Sequence, residues 1–205
     1  MRPTLLFTAL LLAAAPAAAQ TLTPEDLRAR IDARVDETGP YRDMLNDPDP
    51  ARARAAMEIM IATGDTALMR LAAEAGFLAA DPAMQRLAAE AVLATGLPLT
   101  IAIDGSEVED KAALDKAVST YLKGATTPEG IAFVQVQYGD WLPESGCYAI
   151  PGKSACLVSV NADGIYVQGA YLQARLGYGA EGMLSGAASV QTYPKSLPAT
   201  LRLLE

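Results

Sequence analysis

Residues 49–64, DPARARAAMEIMIATG, return 32 residues later as DPAMQRLAAEAVLATG at 81–96, with nine of sixteen positions identical. Each copy spells one helix: an aspartate to cap the first free N–H groups, a proline at the first helical position where no N–H is needed, and a glycine to end the last turn. A third helix lies between them, from Thr66 to Ala75, with Asp65 before it and Gly76 after it. Its Arg70-Leu71-Ala72-Ala73-Glu74 repeats as Arg86-Leu87-Ala88-Ala89-Glu90, half the larger period away. The unit is therefore a helical hairpin. Arg54 with Glu58, Arg70 with Glu74 and Arg86 with Glu90 are expected as i,i+4 ion pairs on wet faces. Ala56, Met60, Leu68, Leu71, Ala72, Met84, Leu87, Ala88 and Ala91 fall on the opposite stripes and are expected to be buried. Upstream, Thr23-Pro24-Glu25-Asp26 opens a further helix, predicted to run to about Glu37 and to stop at Gly39-Pro40.

Alanine- and leucine-rich hairpins of this length resemble the HEAT-type and related α-solenoid repeats, over residues 49–96 alone. The resemblance implies a binding scaffold. A plain helical bundle descended from a duplication satisfies the same residues, since so few repeats build no long concave surface.

Beyond Gly96 the pattern changes to strands. Pro98–Ile103 reads as a short apolar strand, and Ser106-Glu107-Val108-Glu109 as a capping box that opens a helix to about Lys123, ended by Gly124. From Ile131 to Tyr138, Val134, Val136 and Tyr138 alternate with Gln135 and Gln137, the period of a strand wet on one face. Further strands are expected at 148–150, 156–160, 165–167, 171–178, 183–184 and 200–204, separated by glycines, by Asn161-Ala162-Asp163-Gly164 and by Pro194. The fold class is α+β: a helical-repeat bundle over residues 20–96, then a small, mainly antiparallel domain with one helix over 97–205, forming a sheet or partial barrel.

Arg2, the apolar run Leu5–Ala15 and Pro16-Ala17-Ala18-Ala19 follow the order of a secretory signal, with cleavage expected after Ala19. The run is shorter than the ~20 residues that span a bilayer. Export to a periplasm or beyond permits disulfides, and Cys147 and Cys156 are the only two cysteines. Folding the chain at Pro151-Gly152 sets 150 against 153 and 147 against 156, a facing pair within disulfide reach, although Pro-Gly suits a type II turn and hence a longer loop. The spacing is that of a structural staple and not of a redox C-x-x-C pair.

Functional classes narrow by subtraction. The chain has no histidine, so triads and zinc sites that use imidazole are excluded. No glycine-rich phosphate loop, nucleophile elbow or dinucleotide fingerprint occurs, and Lys153-Ser154 at a hairpin tip lacks the burial that would make lysine a base. A formal charge of −8, becoming −9 once Arg2 leaves, disfavours nucleic acid and anionic lipid. Asp104-Gly105-Ser106-Glu107 with Glu109 and Asp110 is acidic, but it lacks the ligand alternation of an EF-hand and reads as helix capping, so neither metal nor cofactor is expected.

The candidate site is Tyr138-Gly139-Asp140-Trp141-Leu142-Pro143-Glu144 together with Tyr148: aromatic faces beside two carboxylates, a chemistry that suits a sugar cleft. The leading expectation is an exported binding or protein-interaction module without catalysis, its partner an envelope protein or glycan. The alternatives are a cell-envelope glycan hydrolase using Asp140 and Glu144 as acid and base, and an acidic inhibitor or immunity-type protein steered to a basic enzyme.

Overall fold

A computed structural model describes residues 23–179 and 182–204, so the expected leader and its cleavage point lie outside the described residues. Contacts divide the chain at Gly39/Pro40. The described part of the first unit, residues 23–39, is helical and carries Leu27, Ile31 and Val35 exposed along one side. Everything from Pro40 onward is one unit, whose buried core runs from Leu45 through the helices into the strands; residues 40–96 have no separate core.

The helices are α1 (Pro24–Leu45), α2 (Pro50–Ala62), α3 (Thr66–Leu78) and α4 (Pro82–Leu93). The two sequence copies become α2 and α4 with the same start: Asp49 accepts from the Ala51 N–H and Asp81 from the Ala83 N–H, both at 2.9 Å. They also end alike, on Gly64 and Gly96 at φ of 70° and 74°, the left-handed region that costs glycine nothing.

Three expectations are corrected here. Helix α1 passes through Pro40 and ends at Leu45, because Tyr41 and Leu45 pack into the core and that burial outweighs the lost N–H. Helix α3 passes through Gly76, which is a contact glycine: a Cβ there would stand 2.5 Å from the Met57 side chain and 2.8 Å from that of Ala88. Arg54 reaches the α4 cap Asp81 at 2.8 Å instead of Glu58, whereas the Arg70–Glu74 and Arg86–Glu90 pairs form as expected, at 3.6 and 2.8 Å.

The strands are β1 (Leu99–Asp104), β2 (Ala125–Thr126), β3 (Ile131–Val136), β4 (Trp141–Leu142), β5 (Cys147–Ala149), β6 (Cys156–Asn161), β7 (Gly164–Gln168), β8 (Leu172–Tyr178), β9 (Met183–Val190) and β10 (Ser196–Arg202). They form one antiparallel sheet in the order β2-β3-β1-β10-β9-β8-β7-β6-β5-β4. Residues 131–142 serve both of its ends. As β3 they pair with β1; a few residues later the Gly139 N–H donates to the Ala149 carbonyl at 2.8 Å, and Trp141 and Leu142 pair with Tyr148 and Cys147. The sheet thus closes on itself. Counting β3 and β4 as one strand and setting aside the two-residue β2, eight strands surround the core, a number whose interior side chains just fill. Ile101, Ile103, Val134, Ile165, Leu176, Leu184 and Leu201 fill it, none more than 2% exposed, while Thr100, Gln135, Gln173, Arg175 and Thr200 alternate with them outside. Among the described residues, closure leaves no long free strand edge to pair with another chain.

Cys147 and Cys156 are bonded, with Cα atoms 5.6 Å apart. They do not face each other. Ile150 and Ala155 close a longer loop around Pro151-Gly152, so Cys147 faces Ser159, and a bulge beside Tyr148/Ala149 slides Cys156 opposite Ala149. The bond therefore runs diagonally between β5 and β6. The expected helix after β1 also moves: Ser106 caps nothing, and α5 (Lys111–Ala117) starts from Asp110, which accepts from the Ala113 N–H at 2.9 Å. A π-helical turn (Val118–Leu122) continues it, ending at Lys123 with φ 55°.

Candidate functional site

The barrel has two ends. At one, where β3, β6, β8 and β10 finish, Phe77 of α3 comes against Gly182 and the Tyr138 hydroxyl donates to the Leu93 carbonyl of α4 at 2.8 Å. Most of the residues expected to form a site lie here. Tyr138 and Tyr148 pack edge to face with centroids 5.1 Å apart, and Tyr148 meets Trp141 in the same way at 5.1 Å. Tyr148 is only 9% exposed and Tyr138 packs against the core, whereas Trp141 is 42% exposed and Asp140 and Glu144 point to solvent. Burial raises the Tyr138 hydroxyl to about 12, and burial together with nearby Glu90 raises that of Tyr148. Tyr178 completes the layer, donating to the Asn161 carbonyl at 3.1 Å, its pKa raised chiefly by burial. The structure thus brings Tyr138, Trp141 and Tyr148 together, with Tyr138 tying the barrel to α4 and Trp141 left open to solvent on the outside. Asp140 supplies a backbone carbonyl to the Ala149 N–H at 2.9 Å, and Glu144 sits on the turn that Ser145 and Gly146 close onto the Leu142 carbonyl. These are the jobs of a strand end and a tight turn.

At the other end, the mouth, the β1–α5 loop and the β9–β10 loop enclose a cavity of about 640 Å³. One wall is Asp104, Ser106, Glu107, Glu109 and Asp110; the other is Thr192, Tyr193, Pro194 and Lys195, with Val108, Leu197 and Pro198 between. The first wall is held in place by its own polar groups. The Asp104 carboxylate accepts from the Ser106 N–H at 2.9 Å, and hydrogen bonds from Ser106 hold its pKa below the usual carboxylate range. Val108 is buried and its N–H donates to the Gly105 carbonyl at 3.1 Å, while Asp110 is tied to α5. Gly105 lies so close to the Gly130 carbonyl and the Leu114 side chain that no larger residue fits without displacement, which pins the loop to the barrel. The second wall is set by Thr192, in the left-handed region at φ 75°, and by the Tyr193 N–H donating to the Val190 carbonyl at 3.0 Å. A strained non-glycine residue of this kind persists where its surroundings over-determine it.

Four carboxylates and one ammonium line this groove, over a floor of valine, leucine and proline. Such a lining attracts cations and gives apolar stems something to lie on. In the sequence the acidic run reads as helix capping and Pro194 as a separator between strands. The signal that joins them, the antiparallel pairing of β1 with β10, is not local in the chain. Among the described residues no group of three or more acidic or cysteine side chains is arranged to hold a metal ion. Comparison with family models, with curated proteins and with solved structures finds no match for this chain, so the groove has to be read from its own chemistry.

Proposed function

We propose that this protein is an exported interaction module without catalytic activity, whose barrel mouth takes a basic segment of a partner protein in the cell envelope. The observation that carries the reading is the groove between the β1–α5 and β9–β10 loops, lined by Asp104, Glu107, Glu109 and Asp110 against Lys195 alone. Preset loops lose little freedom on binding, and an acidic surface speeds the approach of a basic partner. The disulfide supports an oxidising compartment, and no helix among the described residues is long and apolar enough to cross a membrane. The helical repeat adds a stable base to the barrel through the shared core.

The test is titration of the full mature chain with a fluorescent lysine-rich peptide at rising salt. Affinity should fall steeply between 20 and about 200 mM salt, as screening predicts for a charge-steered complex. The double change Glu107→Gln with Glu109→Gln should weaken binding several-fold at unchanged melting temperature. Indifference to both salt and these two changes overturns the reading.

A further inference from the structure

Four large aromatic side chains of the barrel unit are exposed: Tyr121, Phe133, Trp141 and Tyr171. Two of them touch. Tyr121, on the π-helical turn, and Tyr171, on the turn between β7 and β8, stack with centroids 5.2 Å apart and planes 29° from parallel. They remain 39% and 46% exposed, and neither ring belongs to the core or to the half-buried layer around it. The tyrosines of the capped end differ in kind: Tyr138 and Tyr178 spend their hydroxyls on backbone carbonyls, while no hydrogen bond from Tyr121 or Tyr171 side chains occurs among the described residues.

The backbone that presents Tyr121 is unusual. Val118 is buried and Leu122 half-buried on the inner side of a π turn, which leaves Tyr121 facing out. Lys123 follows in the left-handed region, its ammonium donating to the Thr120 carbonyl at 3.0 Å. Single π turns are rare and concentrate at functional positions. The backbone of Tyr171 is tied to the loop that forms one wall of the groove. The Gln191 N–H donates to the Tyr171 carbonyl at 2.8 Å, and the next residue, Thr192, lines the groove.

We propose that the Tyr121–Tyr171 pair is a stacking face for an arginine guanidinium on the basic segment that the groove binds; the inference rests on the proposed function above. An aromatic face attracts cations, and the planar, weakly hydrated guanidinium lies flat on it better than a compact ammonium does. The groove supplies carboxylates, which accept either cation. The tyrosine pair adds a preference for arginine.

The experiment compares two peptides of equal length and charge, one with arginine and one with lysine, by fluorescence anisotropy at low salt on the full mature chain. The arginine peptide should bind about two- to fivefold tighter, the size of one exposed cation–π contact. Tyr121→Ala and Tyr171→Ala should each remove that margin while leaving the lysine peptide unchanged, and Tyr121→Phe, which keeps the ring, should retain it. Equal binding of the two peptides, or alanine variants that keep the arginine margin, overturns this inference and leaves the groove reading standing. Failure of the unaltered protein to bind either peptide overturns both. A circular dichroism melt matching the parent shows that each alanine variant is folded; should either be unfolded, the Tyr171→Phe and Tyr121→Phe forms against the parent's arginine margin still decide the outcome, because loss of the margin with both rings in place refutes stacking.

Discussion

The two ends of the barrel use the same residue type in opposite ways. At the helix-capped end Tyr138 and Tyr178 give their hydroxyls to backbone carbonyls and lie in or beside the core; at the mouth Tyr121 and Tyr171 stack in solvent contact. The charges divide similarly. Asp104, Glu107, Glu109 and Asp110 line one cavity at the mouth, while Asp140 and Glu144 point outward near the capped end. The difference teaches that an aromatic beside a carboxylate in the sequence says little until the hydroxyl's partner is known. A tyrosine whose polar end is spent on the backbone joins elements, and one left free is available to a ligand.

Changes at the capped end should cost stability and leave the mouth's binding alone, provided the chain survives. The largest effect is expected from Phe77→Ala, which empties a side chain only 2% exposed beneath the barrel end. It should remove about 3–5 kcal/mol in urea unfolding. Because helices and strands share one core, fluorescence and circular dichroism should lose it in a single transition; two separated transitions would break the picture of one unit. Next comes the staple, which lies in the barrel wall and not at the capped end, Cys147 starting β5 and Cys156 starting β6. Replacing Cys147 and Cys156 by serine opens a loop of nine residues' separation and should cost roughly 2–3 kcal/mol. Binding of a basic peptide at the mouth should be unchanged, since the staple joins β5 and β6 away from the loops that line the groove.

Tyr138→Phe is a smaller and more pointed change. It removes the hydrogen bond to the Leu93 carbonyl, which still accepts from the Gly96 N–H, so a loss of about 0.5–1.5 kcal/mol is expected. It also carries a pH signature. The folded hydroxyl holds its proton up to about 12, above its ordinary value of 10, so the folded state binds more protons than the unfolded one between those limits. Stability contributed by Tyr138 is therefore complete below pH 10 and lost as pH rises towards 12. Thermal melts from pH 9 to 11 should fall more steeply for the parent than for Tyr138→Phe; parallel curves would mean that the hydroxyl is not buried as described. The least effect is expected from Arg54→Ala. The pair with Asp81 is exposed on both sides and screened by solvent, so the urea midpoint should stay within the error of the parent's.

Much of the fold is legible in particular residues. The caps Asp49, Asp65 and Asp81 and the stops Gly64 and Gly96 bound their helices because each acts on backbone groups two or three residues away. The alternation in Val134-Gln135-Val136 marks a strand for the same local reason. Where local rules failed, contact from afar had intervened. Pro40 stays inside a helix because Tyr41 and Leu45 find the core, and Gly76 does not end α3 because it fits under Met57 and Ala88. Strand β10 begins at Ser196, ahead of the expected 200, with Pro198 inside it. The candidate site was the least legible part. Its walls lie some ninety residues apart, and nothing in either one records the pairing of β1 with β10 that brings them together.

The amino-acid sequence by itself determined where most of the helices and strands lie, the pairing of the only two cysteines, and a surface short of positive charge. Those properties follow from short-range hydrogen bonding, from hydrophobic period and from counting. Tertiary structure alone decided that the strands close into a filled barrel, that Tyr138 and Tyr148 serve as anchors, and that the acidic run faces Tyr193 and Lys195 across a groove. Each of these depends on the register between strands distant in the chain, which is set by how a whole apolar face is buried at once and not by any residue's neighbours.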